Sequence, residues 1–154
     1  MYAGRGFNEL TLGAVFDSAM TLTETHLVLG AGLFGDFNPL HVNQTFAASS
    51  RYGSRIAHGY LTSNVMAAQM GMIFHGTAIG YLEHAIRFTA PVRVGDTLSV
   101  RWTVTALDAK PKHDGGMVTL AGTCHNQDGL AVANADAKIL VRDNPGKVPG
   151  QTHE

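Results

Sequence analysis

From Gly59 to Phe74 the apolar residues Leu61, Val65, Met66, Ala68, Met70, Met72, Ile73 and Phe74 fall around most of a helical circumference. A helix that is apolar on so many sides must be wrapped by other structure. The wrapping material is legible further along the chain. Thr97 to Ala106 alternates, with Leu98, Val100, Trp102, Val104 and Ala106 on one face and Thr, Ser and Arg on the other, the pattern of a half-buried strand. Met117 to His125 and Leu130 to Val141 read as two more strands, joined into a hairpin by Asn126, Gln127, Asp128 and Gly129. Ile79 to Ala90 makes a fourth, ended by Pro91. On the last strand Ala131, Ala133, Ala135 and Ala137 are all small, which lets a helix approach the sheet closely. The expectation is an α+β arrangement, one long helix on an antiparallel sheet of about five strands, with one edge or face of the sheet wanting a partner.

The rest of the chain is less patterned. The beginning, to about Phe16, is Gly-rich, and Thr21 to Leu29 suits a strand or a short helix equally. Gly30 to Pro39 concentrates Gly, Asp, Asn and Pro and reads as a loop of defined shape. Asn43 to Ser50 reads as a short helix capped by Asn43, with Gly53 ending it. At 154 residues and 45% hydrophobic, residues 1–154 are expected to form a single domain, with 143–154 a loose tail.

Eleven Lys and Arg against twelve Asp and Glu leave a formal charge of -1, so neither nucleic acid nor an anionic membrane is an expected partner. No apolar stretch approaches a membrane span, and the N-terminus has no charged region followed by an apolar run, so a cytoplasmic location is expected. The lone Cys124 has no internal disulfide partner and alternates onto the side of Val118 and Leu120, as a small buried hydrophobe would.

Chemistry concentrates in Gly35-Asp36-Phe37-Asn38-Pro39-Leu40-His41. There a carboxylate and an imidazole stand five positions apart across a turn favoured by Asn38 and Pro39, which can bring them together. His58-Gly59-Tyr60 opens the long helix, whose first amides have no partner within the helix and can hydrogen-bond an oxygen that gains negative charge. Gly59 carries no side chain to obstruct that approach. The eight histidines, His26, His41, His58, His75, His84, His113, His125 and His153, show no close-spaced metal-ligand pattern, and no metal site is expected. Arg51, Arg55, Lys110 and Lys112 are cations of the kind that meet phosphates, but none is singled out. Ser63 has no nearby base motif and reads as structural.

These two clusters resemble the MaoC-like hydratase signature, Gly-Asp-x-Asn-Pro-(Leu or Ile)-His followed some seventeen residues later by His-Gly, over Leu33 to Gly59. Arg87-Phe88-Thr89-Ala90-Pro91-Val92-Arg93-Val94-Gly95-Asp96 is more weakly similar to the family's strand, Pro and Gly-Asp turn. The resemblance implies a hot dog fold, a central helix wrapped by a curled antiparallel sheet. It implies (R)-specific hydration of a trans-2-enoyl-CoA, or the reverse dehydration of a 3-hydroxyacyl-CoA, with the coenzyme A thioester as substrate and no cofactor. Asp36 and His41 would activate the water that attacks C3, the backbone N–H of Gly59 would hold the enolate-like oxygen, and Asn38 and His58 would support them. A homodimer or dimer of dimers is implied as well. Two positions depart from the family: Phe34 where a small Ser or Thr is usual, which bears on the substrate pocket, and Gly30 where an aromatic residue is common. The competing readings are a hot-dog thioesterase, which would want a carboxylate on the long helix where Gly59 to Phe74 has none, and a non-catalytic acyl-thioester-binding domain whose pocket Phe34 fills.

Overall fold

The computed structural model describes residues 4–144. Five strands, β1 (Val15–Thr21), β2 (Ala78–Phe88), β3 (Thr97–Lys110), β4 (Gly115–His125) and β5 (Ala131–Arg142), form one sheet in the order β1-β3-β4-β5-β2. Every pairing is antiparallel. Four helices, α1 (Glu24–Phe34), α2 (Pro39–Val42), α3 (Gln44–Ser49) and α4 (Gly59–Ile73), lie between β1 and β2 in the chain. This is the α+β hot dog arrangement expected. Residues 145–154, most of the expected tail, lie outside the described residues.

Helix α4 contacts β3 and both edge strands, β1 and β2, so the sheet curls around it. Met66 and Met70 on the helix and Leu98, Val100, Trp102, Val104, Leu120 and Ile139 on the sheet are nearly or wholly buried between them. The Trp102 indole donates from Nε1 to the Met66 carbonyl at 3.1 Å, which satisfies the one polar atom that this large core side chain brings inside. Ala133, Ala135 and Ala137 are buried on the inner face of β5, as their size suggests. The helix is not covered all round, however: Tyr60, Asn64, Ala68 and Met72, spaced one turn apart, form an open stripe.

Three local readings are revised. First, Gly30 to Phe34 is not loop but the second half of α1. Leu27 and Ala31 bury against the core, and Gly30 lies so close to α4 that a Cβ there would stand 3.1 Å from Leu61. Packing thus outweighs the weak helix propensity of Gly30 and Gly32. The true loop is Gly35–Asn38. Second, β1 had no readable alternation because it is an edge strand with every residue exposed or half-exposed. Third, β3 runs past Ala106. A bulge between Val104 and Ala106 shifts the register, so Ala106 turns outward and Leu107 takes the inward place. The Asn43 cap is as expected, its side chain accepting from Phe46 N at 2.9 Å.

Candidate active site

Helix α1 ends on Gly35 at φ 67°, a left-handed conformation that glycine reaches without the penalty other residues meet. The chain turns sharply there and presents Asp36. Asp36 Oδ1 accepts from Asn38 N at 3.1 Å, and Asn38 Oδ1 in turn accepts from Leu40 N at 3.0 Å. Two nested side-chain turns therefore hold the loop, and Pro39 begins the short helix that carries His41. Asn38 shapes the turn that joins the two groups.

His41 Nδ1 lies 2.8 Å from the Ile56 carbonyl. A carbonyl only accepts, so Nδ1 bears the hydrogen and the neutral ring keeps its lone pair at Nε2. That atom faces Asp36 Oδ2 at 3.8 Å, too far for a direct hydrogen bond and close enough for one oxygen to touch both. The His41 side chain is 13% exposed and that of Asp36 45%, so the pair is reachable.

His58 is buried and caps α4 without a side-chain bond to the helix. Its Nε2 donates instead to the Asp36 carbonyl at 2.9 Å, and its ring lies against that of His41 with centroids 3.9 Å apart. Its Nδ1 has no protein partner. Its hydrogen-bond partner is thus backbone, the carbonyl of Asp36 itself. One ligand-type atom each from Asp36, His41 and His58 falls within 4.8 Å of the others, a grouping in space that no sequence spacing announces. Two of the four imidazole nitrogens there are already committed as donors to carbonyls, an arrangement suited to fixing tautomers.

Gly59, the first residue of α4, has an amide with no intrahelical acceptor. It lines a cavity of about 350 Å³ with His41, Thr62, Phe88 and Ala90, and exposed Arg51 stands at the rim. This is the size range of small-molecule sites. Phe88 covers Gly59 so closely that a Cβ would meet its ring at 2.9 Å. His41 also borders a second cavity, lined by Leu27, Val28, Ala31, Phe37 and Val42. Phe34 is 38% exposed and packs edge-on against His58, with centroids 5.6 Å apart, and against Tyr60. It is thus placed to brace His58. Arg55 is tied to Glu24 by two hydrogen bonds of 2.8 Å, which hold the Glu24 carboxyl below its ordinary range.

One arrangement escaped the sequence. Ser63, read as lacking a base, lies 3.0 Å from His84 Nε2, and His84 Nδ1 lies 2.7 Å from the Tyr81 hydroxyl. Ser63 and His84 are 21 residues apart, on α4 and β2, so only the packing of helix on strand joins them.

With this geometry established, comparison with known proteins gives the family. The chain belongs to the MaoC-like dehydratase family, whose domain matches residues 9–123. It is 35% identical to an (R)-specific enoyl-CoA hydratase of Rhodospirillum rubrum, over 88% of this chain and 90% of that one. It is 31% identical to a 3-hydroxybutyryl-CoA dehydratase of Methylorubrum extorquens, over 88% and 82%. Among solved structures, the unliganded R-hydratase of Pseudomonas aeruginosa superposes with a TM-score of 0.81 at 29% identity, covering 98% of this chain and 97% of that one. A Mycobacterium tuberculosis protein with a double hot dog fold superposes at 0.83 with 24% identity, covering 96% of this chain and 47% of that one, a likeness of fold.

Proposed function

We propose that this chain is a hydro-lyase that adds water to a trans-2-enoyl-CoA to give the (R)-3-hydroxyacyl-CoA, and catalyses the reverse dehydration. The observation that carries the reading is the 3.8 Å gap between Asp36 Oδ2 and His41 Nε2, with His41 held in the tautomer that leaves Nε2 free. A water oxygen held by both attacks C3 of the enoyl group. The pair takes up one water proton and returns one proton to C2. One C–O and one C–H bond form, while the C=C π bond and one water O–H bond are lost. Charge that moves onto the thioester oxygen is met by the Gly59 amide at the positive end of α4. The scheme needs no metal or redox cofactor. Family membership and the similarity to enzymes named for hydration and dehydration support it. Helix α4 carries no carboxylate, which disfavours the thioesterase alternative.

Among the described residues no helix is long and apolar enough to cross a membrane, in keeping with a proposed cytoplasmic enzyme. The acting form is proposed to be a homodimer, alone or paired into a tetramer. Edge strand β2 exposes Ile79, Tyr81, Leu82 and Phe88, and beside it lies the open stripe of α4. Incubation with crotonyl-CoA and chiral analysis of the product tests the activity. The (R)-3-hydroxy thioester is expected, and the (S) product or free coenzyme A would refute it.

A further inference from the structure

Three polar side chains lie in a row at the seam between α4 and β2: Ser63 Oγ, 3.0 Å from His84 Nε2, and Tyr81 Oη, 2.7 Å from His84 Nδ1. With a neutral imidazole the row holds three hydrogens, one on each hydroxyl and one on the ring, and its two hydrogen bonds use two of them. One O–H is left over whichever way the row is polarised. A helical serine ordinarily returns its hydroxyl to the carbonyl one turn back, but that of Ser63 turns to His84. Burial lowers the His84 pKa, which keeps the ring neutral near pH 7 and the count as stated. Tyr81, which burial pushes up to about 12, keeps its proton.

The position of the row gives it a use. Arg51, Gly59 and Thr62 all line the cavity, and Ser63 stands four residues beyond Gly59, about 6 Å along the same side of the helix. Strand β2 runs back along α4, so Phe88 covers Gly59 while His84 reaches Ser63. His84 pairs across the sheet with Ala137 and Ile86 with Ala135, both small residues. A thioester carbonyl placed on the Gly59 amide, with its carrier toward Arg51, would send its acyl tail along α4 toward Ser63, at about the reach of the fifth or sixth carbon.

We propose that Ser63, His84 and Tyr81 are specificity-determining residues that select acyl chains bearing an oxygen acceptor, a hydroxyl, keto or carboxylate group, near the fifth or sixth carbon. This inference rests on the hydratase reading and names its substrate class. A site built to donate a hydrogen bond discriminates against an apolar isostere, because a donor at the half-buried Ser63 end of the row then loses its partner, while the Tyr81 end is open to solvent.

The test compares kcat/KM for 6-hydroxyhex-2-enoyl-CoA with that for the near-isosteric hept-2-enoyl-CoA, with crotonyl-CoA as a reference too short to reach Ser63. The wild-type protein should favour the hydroxylated substrate about tenfold or more. In Ser63→Ala and in His84→Phe that ratio should fall toward one. Calorimetry with the saturated thioesters, 6-hydroxyhexanoyl-CoA against heptanoyl-CoA, reads the same preference without turnover. Equal or better use of the apolar chain would overturn the inference and put the tail in the cavity beside Leu27 and Phe37. A preference that survives both substitutions would overturn it as well. Failure to hydrate even crotonyl-CoA, with the binding preference present, would count against the hydratase reading instead.

Discussion

His41 donates from Nδ1 to the carbonyl of Ile56 at 2.8 Å, fifteen residues further along the chain, and that one bond decides which nitrogen faces Asp36. The His41 tautomer is set by backbone on the connection into α4, with no second acidic side chain involved. Neighbouring His58 performs a parallel task, donating to the Asp36 carbonyl at 2.9 Å. Replacing it by phenylalanine keeps the ring against His41 but strands the carbonyl. The expected result for His58→Phe is a fall in kcat of about tenfold, of the order of one lost hydrogen bond, with KM for crotonyl-CoA little altered. Steady-state kinetics on the purified variant read it; an unchanged kcat would show that the bond has no part in positioning Asp36.

Gly35 ends α1 at φ 67° and has open space around the position of a Cβ, so any cost of substitution there is conformational. Gly35→Ala is expected to lose about 1 kcal/mol of stability. Because Asp36 follows directly, activity should fall by more than the unfolded fraction explains. Denaturant titration alongside the kinetic assay measures both.

At Gly122 the limit is space. Its cross-strand partner is Trp102, and an added Cβ would lie 2.7 Å from the indole in the middle of the core. Gly122→Ala is expected to destabilise by about 1–3 kcal/mol, the range for overpacking a rigid interior, and to lower the melting temperature by several degrees. Thermal unfolding followed by tryptophan fluorescence reports on the same side chain that must move.

The Glu24–Arg55 pair gives a pH dependence with a definite sign. Hydrogen bonds from Arg55 hold the folded-state pKa of Glu24 below 4.5, so its contribution is present above pH 4.5 and is lost as pH falls through the lower folded value. The Glu24 side chain is about half exposed, so solvent screening holds the effect to about 1 kcal/mol or less. Glu24→Gln should match the wild type in stability at the acid end and fall short of it at neutral pH. Chemical denaturation at several pH values checks it.

Burial raises the Cys124 thiol to about 11. Reaction with a thiol reagent at pH 8 should therefore be slow in the native protein and rapid once denaturant is added. Fast labelling of folded protein would mean that β4 opens readily.

What could be read from the sequence depended on how local its cause was. The period of α4, the alternation of β3, the turn at Asn126–Gly129 and the Asn43 cap are all set within a few residues, and each appeared where its pattern lay. The turn from Asp36 to His41 belongs to the same class, since Asn38 and Pro39 shape it from inside. Features set by distant partners were hidden. Helix α1 continues through Gly30 because Leu61 lies against it, and Leu107 turns inward because a bulge two residues earlier changes the register. Ser63 gained a partner only when β2 folded back along α4. The Ile56 carbonyl, which sets the His41 tautomer, leaves no mark in a side-chain pattern at all.

The central claim is that Asp36 and His41 together activate one water molecule, and it is tested most directly by the loss of enoyl-thioester absorbance on crotonyl-CoA for wild type, Asp36→Asn and His41→Ala. Circular dichroism checks that the variants are folded. The account predicts hydration by the wild type and a fall in kcat of about 10²-fold or more in each variant, the scale of a positioned proton-transfer group. Hydration at near wild-type rate in either folded variant would contradict it.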